Sequence, residues 1–209
     1  MSNVGGIARL WEVATGKESR RFIPANQAPG DEAERALLSP DGRLLAAYFV
    51  SRSKRDYGIV YLWSLISGDQ KEIKTEIYLD WRFSDDSRFL ALTAIADRGK
   101  PAERSLAEIW DSGTGKLLKT VDVPPEWRGA YSVAFSPDSK LLAIGGYKKF
   151  GIFSVDTGRL LAFATHHRGS FLQDSEMPNQ LNHVEFSPDG KMLLTAGNDN
   201  NVKLWRITE

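Results

Sequence analysis

Four times along this chain an apolar stretch runs into a turn of the same chemistry: Ser39-Pro40-Asp41-Gly42, Ser84-Asp85-Asp86-Ser87, Ser136-Pro137-Asp138-Ser139 and Ser187-Pro188-Asp189-Gly190. The serines stand 45, 52 and 51 residues apart. On the same beat come strands ending in an aromatic residue and followed by Thr-Gly or a variant of it. They are Leu10-Trp11 with Thr15-Gly16, Leu62-Trp63 with Ser67-Gly68, Ile109-Trp110 with Thr114-Gly115, Ile152-Phe153 with Thr157-Gly158, and finally Leu204-Trp205. A period of this length marks an array of supersecondary units, none of which can bury its apolar face without a neighbour.

Within each unit the pattern is that of strands. Arg43 to Val50 and Lys191 to Ala196 are short, apolar and bounded by Gly, Asp or Pro, and no segment carries a helical stripe. Each full unit therefore reads as four strands. An inner one ends at the Ser-Pro-Asp-Gly turn, two central ones follow, and an outer one comes after Thr-Gly. Gly supplies the positive φ that tight turns need, and Asp caps its own turn.

Composition narrows the chemistry. The 209 residues carry 42% hydrophobic side chains, enough for a core, and 27 basic against 27 acidic residues, so no global field draws the chain to nucleic acid or an anionic membrane. With no cysteine, disulfides, thiolate nucleophiles and Cys-based zinc sites are excluded, which fits a reducing compartment; a cytoplasmic location is the expectation. The amino terminus lacks the pattern of a secretory signal, and the longest apolar run, Leu44 to Val50, falls far short of the roughly 20 residues of a spanning helix. The chain reads as soluble, with no membrane partner.

The sequence resembles the WD-repeat β-propeller family, in particular its bacterial type. The resemblance rests on Arg9 to Glu18, on Val133 to Asp138 and on Thr195 to Trp205, and it extends from Ile7 to Arg206. It implies an all-β propeller of four-stranded antiparallel blades in a single domain, 1–209. The expected parts are a half-blade at 7–23, blades at about 33–76, 79–122 and 131–165, and an incomplete blade at 181–207. In that family a strand Thr or Ser, a turn Asp and a Trp hydrogen-bond together with a His. The last unit matches three of these as Thr195, Asp199 and Trp205, but the family's Gly-His pair is absent, and His166 or His167 could stand in for the His only across an insertion of about ten residues. The unit ending at Phe153 lacks both the Trp and the turn Asp. Trp11, Trp63, Trp110, Phe153 and Trp205 are expected to be structural core residues.

The count of about four and a half blades leaves three readings: a piece of a longer chain, an open arc, or a homo-oligomer in which Lys17 to Phe22 completes another copy's last blade. The long connections, at 23–32, 51–57, 97–104, 124–129 and 166–180, all project from one side of the blades under this reading, and insertions gathered on one face mark a binding face. Arg52, Arg55, Tyr57, Arg98 and Arg104 are candidate partner-binding residues there. So are Trp127, Arg128, His167, Arg168 and Phe171, since Trp, Tyr and Arg dominate interface hot spots. For Trp127 the competing reading is packing over a neighbouring blade.

No catalytic constellation, metal-ligand spacing or nucleotide loop stands out, so no cofactor and no metal are expected. His166, His167, Asp174, Glu176 and His183 are the only residues from which a metal site could be assembled, and their spacing matches no established ligand pattern. The expected function is a non-catalytic scaffold for a protein or peptide partner. The alternative is a propeller enzyme or small-ligand binder using a central channel. Nucleic acid is disfavoured because acids alternate with the basic residues of the loop-rich face.

Overall fold

A computed structural model describes residues 7–26, 31–50, 58–75, 78–97, 103–166 and 180–208. Among these the chain is all β: seventeen strands and one turn of 3-10 helix, Pro125–Trp127. The strands form consecutive antiparallel sheets in chain order. A hairpin, β1 (Ala8–Glu12) with β2 (Lys17–Phe22), precedes a four-stranded sheet of β3 (Glu32–Leu38), β4 (Leu44–Val50), β5 (Gly58–Ser64) and β6 (Gln70–Thr75). Next come β7 (Tyr78–Phe83), β8 (Phe89–Ala96), β9 (Arg104–Asp111) and β10 (Lys116–Asp122), and then β11 (Ser132–Phe135), β12 (Leu141–Gly145), β13 (Lys149–Ser154) and β14 (Leu160–Thr165). The last sheet has three strands, β15 (Leu181–Phe186), β16 (Met192–Gly197) and β17 (Val202–Arg206). These are propeller-type blades, the four-stranded ones each an up-and-down meander.

The repeated turns explain why every first strand reverses into its second at the same place. In each, the Ser hydroxyl donates to the Asp carboxylate at 2.6 Å and accepts from the first amide of the next strand. The Asp carboxylate also accepts the amide two residues on, at 3.0 or 3.1 Å. The fourth turn position is left-handed, with φ 69° at Gly42, 61° at Ser87, 59° at Ser139 and 70° at Gly190. Serine at two of these positions carries a strain that glycine avoids.

The chain forms two compact units, Met1–Ile77 and Tyr78–Glu209. In the first, the β1–β2 hairpin lies on the β3–β6 sheet through Ala8, Phe22, Leu45, Ala47, Phe49, Tyr61 and Trp63, with the Phe22 and Trp63 rings 5.7 Å apart. In the second, the inner strand β11 lies against both β7 and β15. One core fills the space between the β7–β10 and β11–β14 sheets, from Ala107, Ile109 and Val121 on one side to Phe135, Leu142 and Phe153 on the other. Another fills the space between β11–β14 and β15–β17, where Trp205 packs 4.9 Å from Phe150. Polar links run across the same gaps: Asp80 on β7 accepts the Val133 amide of β11 at 3.1 Å, and the Ser132 hydroxyl of β11 donates to the Leu181 carbonyl of β15 at 3.0 Å.

Trp63, Trp110 and Phe153 are buried and Trp205 is half-buried, but Trp11 is 52% exposed. Ala8 and Leu10 are the β1 residues that meet the β3–β6 sheet, so strand alternation turns Trp11 to the other side of its hairpin. Trp11 is therefore not a core residue of its unit, contrary to the expectation from its motif. Phe153→Ala should lower unfolding free energy by about 3–5 kcal/mol, the usual cost of emptying a large aromatic site. Trp11→Ala should cost about 1 kcal/mol or less, because little of its surface is withdrawn from water. Denaturant titration of the two variants checks the contrast.

Candidate functional site

The last sheet holds the densest polar network. Thr195 Oγ1 on β16 accepts the indole N–H of Trp205 at 2.8 Å and lies 2.7 Å from His166 Nδ1. The other imidazole nitrogen, Nε2, stands 3.3 Å from Asp199 Oδ1, with the two side chains 1% and 5% exposed. Asp199 in turn accepts the Asn201 amide at 3.2 Å and the Asn201 side-chain amide at 3.1 Å. Its carboxyl is held below the ordinary range: burial pushes it up, but the Asn201 donors and the neighbouring His166 outweigh that. His166 thus completes the four-residue set from just past the end of β14, across a gap in sequence that is only partly described. Lys203 donates to its carbonyl, tying the residue to β17.

The long-connection side carries a second cluster. Trp127 ends the 3-10 turn and is 1% exposed, packed 6.0 Å from the Phe153 ring and 6.5 Å from Phe163. A methyl at Gly151 would sit 2.3 Å from the Trp127 ring, so the glycine is the hollow that receives the indole. Trp127 is therefore corrected from partner anchor to core residue, since its ring has no surface to offer. Arg128, in a left-handed conformation (φ 50°) at the end of that turn, is exposed, with its guanidinium 5.9 Å over the Tyr147 ring. Lys148 Nζ lies 5.5 Å from the same ring, and Tyr131 donates its hydroxyl to the Arg128 carbonyl at 2.7 Å. Arg104 starts β9, where it pairs with Asp122 of β10. Arg52, Arg55, Tyr57, Arg98, His167, Arg168 and Phe171 lie outside the described residues.

A concave feature lies at the other end of the strands, at the short turns, where the sequence pointed to no site. A groove of about 930 Å³ runs between the β7–β10 and β11–β14 sheets. Phe89, Leu118, Leu160 and Leu161 supply its apolar lining, and Lys119, Lys140 and Arg159 stand among the residues around it. Leu118, Leu160 and Leu161 are exposed. The walls are the clasped turns themselves. Hydrogen bonds from the Ser136 hydroxyl and the Lys140 amide hold the Asp138 carboxyl below its ordinary range, and at Asp86 the same two kinds of bond, from Ser84 and the Arg88 amide, prevail over burial. The legible signal was the pair of leucines one residue past two of the Thr-Gly turns, Leu117-Leu118 and Leu160-Leu161, which face solvent rather than a core.

Residues 166–206 match the family model described as WD domain, G-beta repeat, so the matched stretch begins at the histidine that completes the network and ends just past its tryptophan. Residues 166–206 form a WD repeat. It is similar to the WD repeat-containing protein SL1-17 of Schistosoma mansoni, 27% identical over 135 residues, 48% of this chain and 44% of that protein. It is 30% identical over 99 residues to the COMPASS component SWD3 of Saccharomyces cerevisiae, 47% of this chain and 30% of that protein. A stretch of 31 residues is 52% identical to Ribosome assembly protein 4 of Chaetomium thermophilum, 15% of this chain and 6% of that protein. The chain spans less than half the length of the curated relatives it matches.

In a WD blade of this kind the Thr hydroxyl is the hub. Thr195→Val keeps the shape and removes the hydroxyl that accepts from Trp205 and bonds His166 Nδ1, and should cost about 1–3 kcal/mol in a denaturant titration. The lowered Asp carboxyls make a pH prediction. A group whose folded pKa is depressed contributes stability above its unfolded pKa, about 4, and loses it as pH falls through the folded value. Melting temperature should therefore drop below about pH 4, and Asp199→Asn should melt lower than the parent at pH 7 with a shallower fall toward pH 3. Equal slopes for the two proteins would show that Asp199 does not drive the acid transition.

Proposed function

We propose that this WD-repeat chain is a non-catalytic scaffold that docks a protein or peptide partner in the groove between the β7–β10 and β11–β14 sheets. The observation that carries the reading is a concave, leucine-lined surface whose walls are hydrogen-bonded turns. Exposed apolar side chains gathered in a groove release water on binding, and clasped turns lose little entropy when a partner seats. The nearby Lys119, Lys140 and Arg159 favour a segment with acidic residues beside its apolar ones. The names of two relatives, a COMPASS component and a ribosome assembly protein, agree with work inside protein assemblies. Among the described residues no group of three or more His, Asp or Glu is placed to hold a metal ion, and His166 and Asp199 are engaged in the blade network.

A second reading puts the partner on the long-connection side. The exposed Arg128 and the half-buried Lys148, both near the Tyr147 ring, favour it, because cation and aromatic groups arranged in this way are common interface anchors. The two readings separate in one experiment. A partner captured by the purified chain and identified by cross-linking mass spectrometry is titrated against Leu118→Asp/Arg159→Glu and against Arg104→Ala/Arg128→Ala. The groove pair should weaken binding at least about tenfold while the other pair leaves it within twofold or so. The reverse pattern assigns the partner to the long-connection side. Binding unchanged in both variants rejects both surfaces.

A further inference from the structure

Outer strands of sheets expose unpaired amides and carbonyls, and charged side chains along them discourage pairing with another chain. The outer strands of this chain follow that rule with one exception. β2 (KESRRF) carries four charged residues, β6 (QKEIKT) three and β10 (KLLKTVD) three, whereas β14 (LLAFAT) carries none. Leu160, Leu161, Ala162 and Phe163 are all exposed, Phe163 at 62%. Among the described residues β14 has β13 on one side and no strand on the other.

The comparison with β10 is residue by residue. Both strands follow a Thr-Gly turn and begin Leu-Leu after one basic residue; β10 then has Lys119 where β14 has Ala162. Both pair irregularly with the preceding strand near the second leucine, and beyond that point β14 pairs regularly with β13, Ala162 opposite Ile152 through Thr165 opposite Lys149. The regular stretch 162–165 is thus an extended, uncharged edge of alternating Ala and larger side chains.

What such an edge accepts follows from its lack of charge. When a strand pairs antiparallel with an identical strand about a two-fold axis, any charge near the centre is brought close to its own copy, so self-pairing is unfavourable for strands like β2, β6 and β10. β14 alone among the outer strands is free of that repulsion. We propose that β14 is a self-association edge, where residues 162–165 of two copies of this chain pair antiparallel and join two β11–β14 sheets into one continuous sheet. Phe163 of each copy, already lying against its own Trp127, covers the neighbouring strand and removes its exposed ring from water. The turn end of β14, Leu160 and Leu161, remains in the groove, so partner docking and self-association use different ends of the strand. Four residues per copy make a small interface, and the association is correspondingly weak.

Sedimentation or light scattering between about 5 and 500 µM, the range in which small interfaces dissociate, tests this. The parent should rise from its monomer mass of 23.3 kDa toward twice that value. Ala162→Lys, which gives β14 the Leu-Leu-Lys of β10, should stay at the monomer mass throughout, while Thr120→Lys on β10 should behave as the parent. At the lowest concentration, where all are monomers, the three should melt at the same temperature. Independently of any variant, amides of 162–165 in the parent should exchange more slowly with deuterium as concentration rises. A parent that stays monomeric, with concentration-independent exchange, overturns the proposal and leaves the edge to a strand of a different protein. Ala162→Lys associating as strongly as the parent also overturns it.

Discussion

Everything in the described part of this molecule depends on an aromatic side chain at the end of a blade's third strand finding a neighbouring sheet to lie on. Trp63 rests on Phe22 of the preceding hairpin, Phe153 in the core shared with the β7–β10 sheet, and Trp205 on Phe150. A four-stranded meander has two broad faces and no second layer of its own, so its apolar residues are buried only between neighbours. Trp11 shows the same rule in the negative. It has the same local motif as Trp63, but it lies on the side of its hairpin away from the β3–β6 sheet, and it remains half exposed.

The polar parts serve that stacking. The Ser-Asp clasps fix where each first strand ends, and therefore which residues of the second strand face the gap between sheets. Asp80 and Ser132 then satisfy buried backbone groups across the gap, which an apolar side chain could not do. In the last blade Thr195 joins Trp205 and His166, so the aromatic residue and the connection leading into that blade are held by one hydroxyl. The β11–β14 blade has Phe153 in place of a tryptophan, and there Trp127, brought in from the connection before β11, fills the gap against Phe153 with Gly151 as its seat. Loss of a polar network in one blade is thus accompanied by extra apolar packing.

The two surfaces suited to binding arise from opposite ends of the same strands and by different physics. On the long-connection side, the described groups Arg128, Tyr147 and Lys148 are carried by the end of one 3-10 turn and by the β12–β13 connection. On the short-turn side, the groove lies between two neighbouring sheets, and the leucines just past the Thr-Gly turns at 114–115 and 157–158 are left exposed beside it. The walls of this groove are the clasped turns that the fold already requires.

Strand positions, the turn chemistry and the order of the sheets were legible in the sequence. They depend on short-range facts: alternation, positive φ after Asp or Ser, and a Ser-Asp pair two residues apart. Thr195, Asp199 and Trp205 could be recognised as three parts of one network because all three lie within eleven residues. What only the tertiary structure decided is which exposed-looking residue meets a neighbour. His166 enters the network from 29 residues before Thr195, Trp127 leaves the list of binding residues because Gly146 and Gly151 make room for it, and the groove lies on the side with the shortest turns. Each of these depends on the gap between two sheets, a distance set by side chains far apart in sequence, and no local pattern of residues encodes such a gap.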